Sequence, residues 1–386
     1  MRKTLALLIV VALVAVLPAE AGWDEGVAAF TKKDYKAAAA EFQTLVEQQP
    51  ESYRIQYMLG ATLQRLGRKE EALNHLTKAY DLNPNDLSVK LELGKAYFSS
   101  RRYQEVARLL DTVEVGSLPA SHRSALYQMR GEAKLKVGND SAAYRDFREL
   151  AKLNPSDSDI QYKYGAVALK ADQMEAALGA LDSAVRADPS DVDKKVTYAN
   201  ALLRKARSTQ NKDQKKITYL KASELAAAAT QADGSFDNLM LHMSAQLGAG
   251  QYTEAVTTGE RAAAKNPRDW IVPFYIGQAY TSSGRFQQAL QPLNKALELA
   301  GAQDQKRVWT QIGFAHEKLK NYSDSISAYQ NAGDQAAVAR VQKNEQIAQE
   351  NQAIEAENER IEQLQEEARR LEEQMKELEE GGDGGI

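Results

Sequence analysis

Apolar and small residues recur along this chain on two clocks. The slower has a period of 34. Between Tyr53 and Asp86 the chain reads YRIQYMLGATLQRLGRKEEALNHLTKAYDLNPND. Its fixed points are Leu59-Gly60 at places seven and eight, Gly67 at fifteen, Ala72 at twenty, Leu76 at twenty-four, Ala79 at twenty-seven and Pro84 at thirty-two. The window from Leu87 keeps Leu93-Gly94, Tyr97 and Tyr103, with Val106 in place of the small Ala. Windows starting at Ser124, Ser158, Phe236 and Trp270 repeat the pattern, as does a last one from Lys306. Two windows are less regular: the first, from Gly22 to Pro50, and the sixth, from Val192, where RSTQNKDQKKI interrupts the period between Arg207 and Ile217. The faster clock is a heptad, set by Asn344, Asn351 and Asn358 and by Ile347, Ile354 and Ile361.

The 34-residue pattern resembles the tetratricopeptide repeat, whose unit is a pair of antiparallel helices. The resemblance covers about residues 22–332 in nine units. Small residues at places eight and twenty let two helices approach, and large residues at twenty-four with small ones at twenty-seven interlock with a neighbour. Pro at thirty-two ends the second helix. A pair cannot bury its apolar face alone, so the units must stack. The fold class expected is therefore all-α. The resemblance implies a superhelical solenoid of about nine helix-turn-helix units with a concave groove, followed here by a long C-terminal coiled-coil helix.

The resemblance also implies where a ligand would lie. In the family the first helix of each unit lines the groove, with places five and twelve among its contacts. Place five carries Trp23, Tyr57, Leu91, Tyr162, Met240 and Phe274, and place twelve carries Phe30, Phe98 and Leu169. These nine are the candidate groove residues. Such anchors suit a peptide or a partner helix, whereas the plainer reading is that each packs against its adjacent helix. Some members grip a C-terminal carboxylate with Lys and Asn at places five and nine. Place nine includes Ala61, Lys95, Glu132, Asn200 and Gln278, so that clamp is not expected.

After Gly333 the repeats stop. Residues 334–380 contain no Pro or Gly, and carry fourteen acids against six bases. At about 1.5 Å per residue such a helix is roughly 70 Å long. Its first seam is Asn344/Ile347, Asn351/Ile354 and Asn358/Ile361. Its second runs through Ile361/Leu364, Ala368/Leu371 and Met375/Leu378, so the seam slips by three residues near Ile361. A seam Asn fixes register at a cost in stability. Self-association, or docking of a partner helix, is one reading; a solvated amphipathic helix is the other.

Composition narrows the rest. The first 21 residues have the layout of a signal peptide: Met1-Arg2-Lys3, the apolar run Thr4 to Leu17, then Ala19-Glu20-Ala21 with cleavage expected before Gly22. The domains expected are 1–21 leader, 22–333 repeats, 334–380 acidic coiled coil and 381–386 flexible tail. The 386 residues include no cysteine, so the fold needs no disulfide. A net charge of −4 gives no footprint for nucleic acid. No transmembrane segment is expected in the mature chain. The basic insert 207–217 reads as a solvated extension or as a docking loop. His75, His122, His242 and His316 are scattered, without metal-ligand spacing, and no phosphate loop or nucleophile elbow occurs. No cofactor, metal or catalytic residue is expected. The reading is an exported protein-binding scaffold, periplasmic or else secreted, with partners unnamed and a homo-oligomer possible through the last helix. The alternatives are an accessory subunit of an envelope polysaccharide-export machine, resembling known periplasmic repeat scaffolds, and an enzyme built on the solenoid.

Overall fold

The computed structural model describes residues 18–116 and 118–381. Most of the expected leader, residues 1–17, and the tail from 382 lie outside the described residues. Among the described residues there are nineteen α-helices and no strand. The first eighteen form nine antiparallel pairs: α1 Pro18–Thr31 with α2 Tyr35–Gln48, α3 Tyr53–Arg65 with α4 Lys69–Leu82, and α5 Leu87–Ser99 with α6 Tyr103–Asp111. Next come α7 Ala120–Lys136 with α8 Asp140–Leu153, α9 Ser158–Lys170 with α10 Met174–Ala187, and α11 Val192–Ser208 with α12 Lys212–Ala232. The last pairs are α13 Phe236–Ala249 with α14 Tyr252–Lys265, α15 Ile271–Ser282 with α16 Phe286–Leu299, and α17 Ala302–Lys318 with α18 Tyr322–Ala332. A single helix, α19 Gln335–Gly381, follows. The nine units expected from the period are the nine pairs observed.

Local chemistry explains the joints. At the end of second helices the residues before proline, Asn83, Asn154, Asp188 and Asn266, are C-caps, and Pro84, Pro155, Pro189 and Pro267 forbid helix beyond them. Two residues after each proline stands an aspartate, at or just before the start of the next helix. Asp86 accepts from the Val89 N–H at 3.1 Å and Asp157 from Ile160 at 2.9 Å, which satisfies a first-turn donor. Within a pair the turn passes through the left-handed region at place fifteen. Glycine supplies it at Gly67 and Gly284 (φ 77° each), but Lys33, Arg101, Asp172 and Lys320 adopt it with φ of 58–63°, against the steric preference of L residues.

The pairs close because place eight meets place twenty-four. A Cβ on Gly60 would stand 2.6 Å from Leu76 Cγ, one on Gly165 2.7 Å from Leu181 Cγ, and one on Gly277 2.5 Å from Leu293 Cγ. Leu76, Leu181 and Leu293 are fully buried. The seventh pair inverts the sizes. Met243 takes place eight and Gly259 takes twenty-four, where a Cβ would stand 2.7 Å from Met243 Cε. The sum of volumes is what close packing constrains, and either order meets it.

The insert of the sixth pair is not a long loop. It extends α11 to Ser208 and α12 back to Lys212, leaving three residues between them. Asn211 caps α12 by accepting from the Gln214 N–H at 2.9 Å. Ile217 on this extension is exposed. The chain divides into two compact units, residues 1–201 and 202–386.

In α19 the first turns differ from the rest. Ala337, Val338 and Val341 are buried against Tyr329, Tyr322 and Ile326 of α18. They cover the face that a tenth pair would otherwise cover, as a terminal repeat requires. From Gln349 to Glu377 every side chain is exposed.

Candidate partner-binding surfaces

In the first unit the first helices of successive pairs lie side by side, and two adjoining cavities open between α3, α5 and α7. One, of about 290 Å³, is lined by Tyr57, Ser88, Leu91, His122 and neighbours; the other, of about 310 Å³, by Phe98, Ser99, Gln128 and Glu132. Lys95, Ala125 and Met129 belong to both. The charges here are internally matched. Glu92 is held by Arg65 at 3.0 Å and by Lys95 at 2.8 Å, and burial pushes the Tyr57 hydroxyl up, keeping it neutral. What remains open to a ligand is an apolar floor of Leu91, Phe98, Ala125 and Met129 with polar tips at its edge.

The second unit presents a larger cavity, of about 660 Å³, also formed chiefly by first helices. Phe274, Tyr275, Leu247 and Tyr219 give it apolar and aromatic walls. Ser244, Gln278, Thr310 and Gln311 add hydrogen-bonding groups, and Arg207 and Arg307 are its charged members. Arg307 lies over the rings of Phe274 (5.2 Å) and Trp270 (5.5 Å). That contact orients the guanidinium without neutralising it. No carboxylate is among the lining residues.

The nine predicted groove residues divide. Tyr57, Leu91, Phe98 and Phe274 line these cavities, though Phe274 is only 5% exposed and acts as a wall. Trp23 packs edge-on against Phe42 at 5.8 Å, Phe30 against Tyr35 at 5.5 Å, and Met240 joins the core around Leu239. The Tyr162 hydroxyl lies 3.1 Å from Thr197 Oγ1, and Leu169 is half-buried. Sequence reasoning missed Met129 and Tyr275, both at place six, and Arg307 at place two. Lys95, Glu132 and Gln278 sit at place nine, one of the family's ligand-contacting places, without forming a Lys/Asn clamp there.

The C-terminal seam is treated in two ways by the fold. Asn344 Nδ2 donates to Glu317 Oε1 at 3.3 Å, so the first Asn of the heptad clock serves the last repeat. Arg340 reaches the same Glu317 at 2.8 Å and the Tyr329 hydroxyl at 3.3 Å. The Arg340 hydrogen bond holds the Glu317 carboxyl below its ordinary range, and burial, with Glu317 beside it, pushes Tyr329 up to about 12. Beyond this anchor Ile347, Ile354, Ile361, Leu364 and Leu371 are 44–59% exposed, and Asn351 and Asn358 are exposed with them. The Leu378 side chain lies outside the described residues.

Charged clusters elsewhere are accounted for by structure. Lys194 is buried among Asp159, Asp188 and Asp191 at 2.8–3.3 Å, and hydrogen bonds to those carboxylates hold its ammonium above the ordinary range. Arg130 Nε lies 3.1 Å from both oxygens of Asp146, and Lys134 bridges Asp146 and Asp111. Among the described residues no group of His, Asp or Glu is arranged to hold a metal ion, and no helix is long and apolar enough to cross a membrane.

The tetratricopeptide repeat profile matches residues 24–86, 57–114, 129–192 and 242–305. The chain belongs to the tetratricopeptide repeat family. Members of this family are generally protein–protein interaction scaffolds. Among curated proteins the chain is 24% identical over 318 residues to superkiller complex protein 3 of Mus musculus, covering 81% of this chain and 15% of that protein. It is 19% identical over 267 residues to the BBSome complex member BBS4 of Bos taurus, covering 69% of this chain and 48% of that one. The chain thus spans less than half the length of the curated relatives it matches. A solved C-terminal part of a tetratricopeptide protein from Cytophaga hutchinsonii aligns with a TM-score of 0.46 and 14% identity, over 63% of this chain and 93% of that one.

Proposed function

We propose that this tetratricopeptide protein is an exported, non-enzymatic scaffold. It holds segments of partner proteins against its first helices and offers its C-terminal helix as a second docking element. The observation that carries the reading is the pair of first-helix surfaces. Each sets an apolar floor beside polar groups at its edge, the combination that anchors a peptide and fixes its direction. They differ in charge, so the first unit suits an apolar segment and the second a segment with a carboxylate beside an apolar residue. Export rests on the N-terminal layout of Met1-Arg2-Lys3, the apolar run and Ala19-Glu20-Ala21. That layout supports a periplasmic location, with secretion as the alternative, and mass spectrometry of protein purified from cells should find Gly22 as the first residue.

The test of the scaffold is cross-linked capture from an envelope extract with three proteins: the parent chain, Phe98→Ala and Arg307→Ala. The parent should recover a defined partner. The substitutions should weaken its recovery while circular dichroism stays unchanged. Capture that ignores both substitutions, or turnover of a peptide or glycan library with no partner recovered, refutes the proposal.

A further inference from the structure

The exposed part of α19 presents large aliphatic side chains on a heptad seam, and of the eight residues that flank the seam six are Glu and one, Arg360, is basic. With Asn351 and Asn358 at position a and Ile354 and Ile361 at d, the flanking e and g positions are Glu350, Glu355, Glu357 and Glu362. After the slip, with Ile361 and Ala368 at a, and Leu364 and Leu371 at d, the flanks are Arg360, Gln365, Glu367 and Glu372. In a parallel pair each g residue faces the e residue five places on in the other chain. A second copy would therefore set Glu350 against Glu355, Glu357 against Glu362 and Glu367 against Glu372, each twice by symmetry. An antiparallel pair sets e against e and g against g, which again puts Glu largely beside Glu. The cations Arg369, Arg370 and Lys376 do not relieve this, because they stand at b and c, on the outer face. There they are three or four places from Glu366, Glu372 and Glu373 of their own helix, the spacing of intrahelical pairs.

We infer that the occupant of this seam is an amphipathic helix of another protein with Lys or Arg at its own e and g positions. This rests on the reading of α19 as a docking element and names the partner's chemistry. Charges at these positions choose partners by attraction and by exclusion, and here they exclude the chain itself. The partner also carries polar residues where it meets Asn351 and Asn358, since a seam Asn facing an aliphatic residue would be buried without a hydrogen bond. The first Asn of the series, Asn344, is already spent on Glu317 at 3.3 Å, so the seam open to a partner begins after it.

The experiment uses the full chain and two synthetic helices matched to residues 344–378, slip included. Both carry Ile or Leu on the seam and Asn opposite Asn351 and Asn358. One has Lys at every e and g position, the other Glu. Fluorescence anisotropy should show the Lys helix binding at least about 100-fold more tightly than the Glu helix. Its affinity should fall about tenfold between 0.05 and 0.5 M NaCl. Changing Glu350, Glu355, Glu357 and Glu362 to Lys in the chain should reverse the preference. Sedimentation of the chain alone should give a monomer at tens of micromolar. Equal binding of the two helices, or a preference unmoved by the charge reversal, overturns the inference. A dimer of the chain that Ile354→Asp abolishes makes a second copy the occupant: the basic partner then fails while the docking element stands. A monomeric chain that binds neither helix removes the docking element and the inference together.

Discussion

The repeat pairs and the exposed stretch of α19 are made of the same material, helices with aliphatic residues at regular spacing, yet the fold closes one and leaves the other open. In the second pair Leu76 is fully buried over Gly60, and the glycine has no room for even one more carbon. In α19 Leu371 is 55% exposed, and no described helix packs over it. A repeat residue answers to its neighbours in the same chain. A residue beyond about Ile347 answers only to what the chain meets. The first turns of α19 mark the changeover: they complete the last repeat through Ala337, Val338 and Val341, and then the helix leaves it.

Substitutions at matched positions should expose this contrast. Leu76→Ala should cost about 3 kcal/mol in urea unfolding, through lost transfer energy and a cavity, whereas Leu371→Ala should change the stability of the isolated chain by less than about 0.5 kcal/mol. Equal losses at the two sites would mean that α19 is packed in solution. Gly60→Val should cost about 2 kcal/mol by overpacking, since its Cβ would also stand 3.1 Å from the Leu76 backbone nitrogen. Val341→Ala should cost about 1.5 kcal/mol, and locally. Amide exchange should quicken in the first turns of α19 and in α18 while α15 and α16 keep their protection, because stacked repeats open from their ends.

The same anchor should depend on pH, by at most about 1 kcal/mol for a pair with one exposed member. Glu317 is held below its ordinary range by Arg340. Its contribution is therefore present above the unfolded value of about 4.3 and is lost as pH falls through the lower folded value. Tyr329 is pushed up to about 12 chiefly by burial. Its contribution is present below the unfolded value of about 10 and is lost as pH rises from there through the folded value. Exchange at the start of α19 should quicken at both extremes, and Glu317→Gln should remove the acid limb. The smallest effect is a gain. Arg101 holds a φ of 58° that glycine adopts without strain, so Arg101→Gly should stabilise by about 0.5 kcal/mol, the relief of strain exceeding the extra chain entropy. A loss there would mean that the Arg101 side chain contributes more than its backbone costs.

Period, pairing and the number of units were legible in the sequence, because the positions that set them are packing positions whose partners lie at fixed spacing within the same unit. Gly60 with Leu76 and Asn83-Pro84 followed by Asp86 are of this kind. The binding surfaces were legible only in part. Place five marks the helix face but not whether the neighbouring helix takes that side chain first, as α2 does for Trp23 through Phe42. Arg307 and Tyr275 fall beside each other only when the first helices of the last two pairs are aligned, and Tyr275 stands at place six, which the family pattern does not emphasise. The heptad clock was plain, but its sequence could not show that Asn344 belongs to Glu317.

The central claim is that partners are held on the first helices, and site-specific photo-cross-linking tests it most directly. A benzophenone amino acid is placed at Gln128 on the first-unit surface, at Gln278 on the second-unit surface and, as a reference, at Lys152, which is 62% exposed on a second helix. The account predicts a discrete cross-linked partner from Gln128 or Gln278 and none from Lys152. Cross-links confined to Lys152 would contradict it.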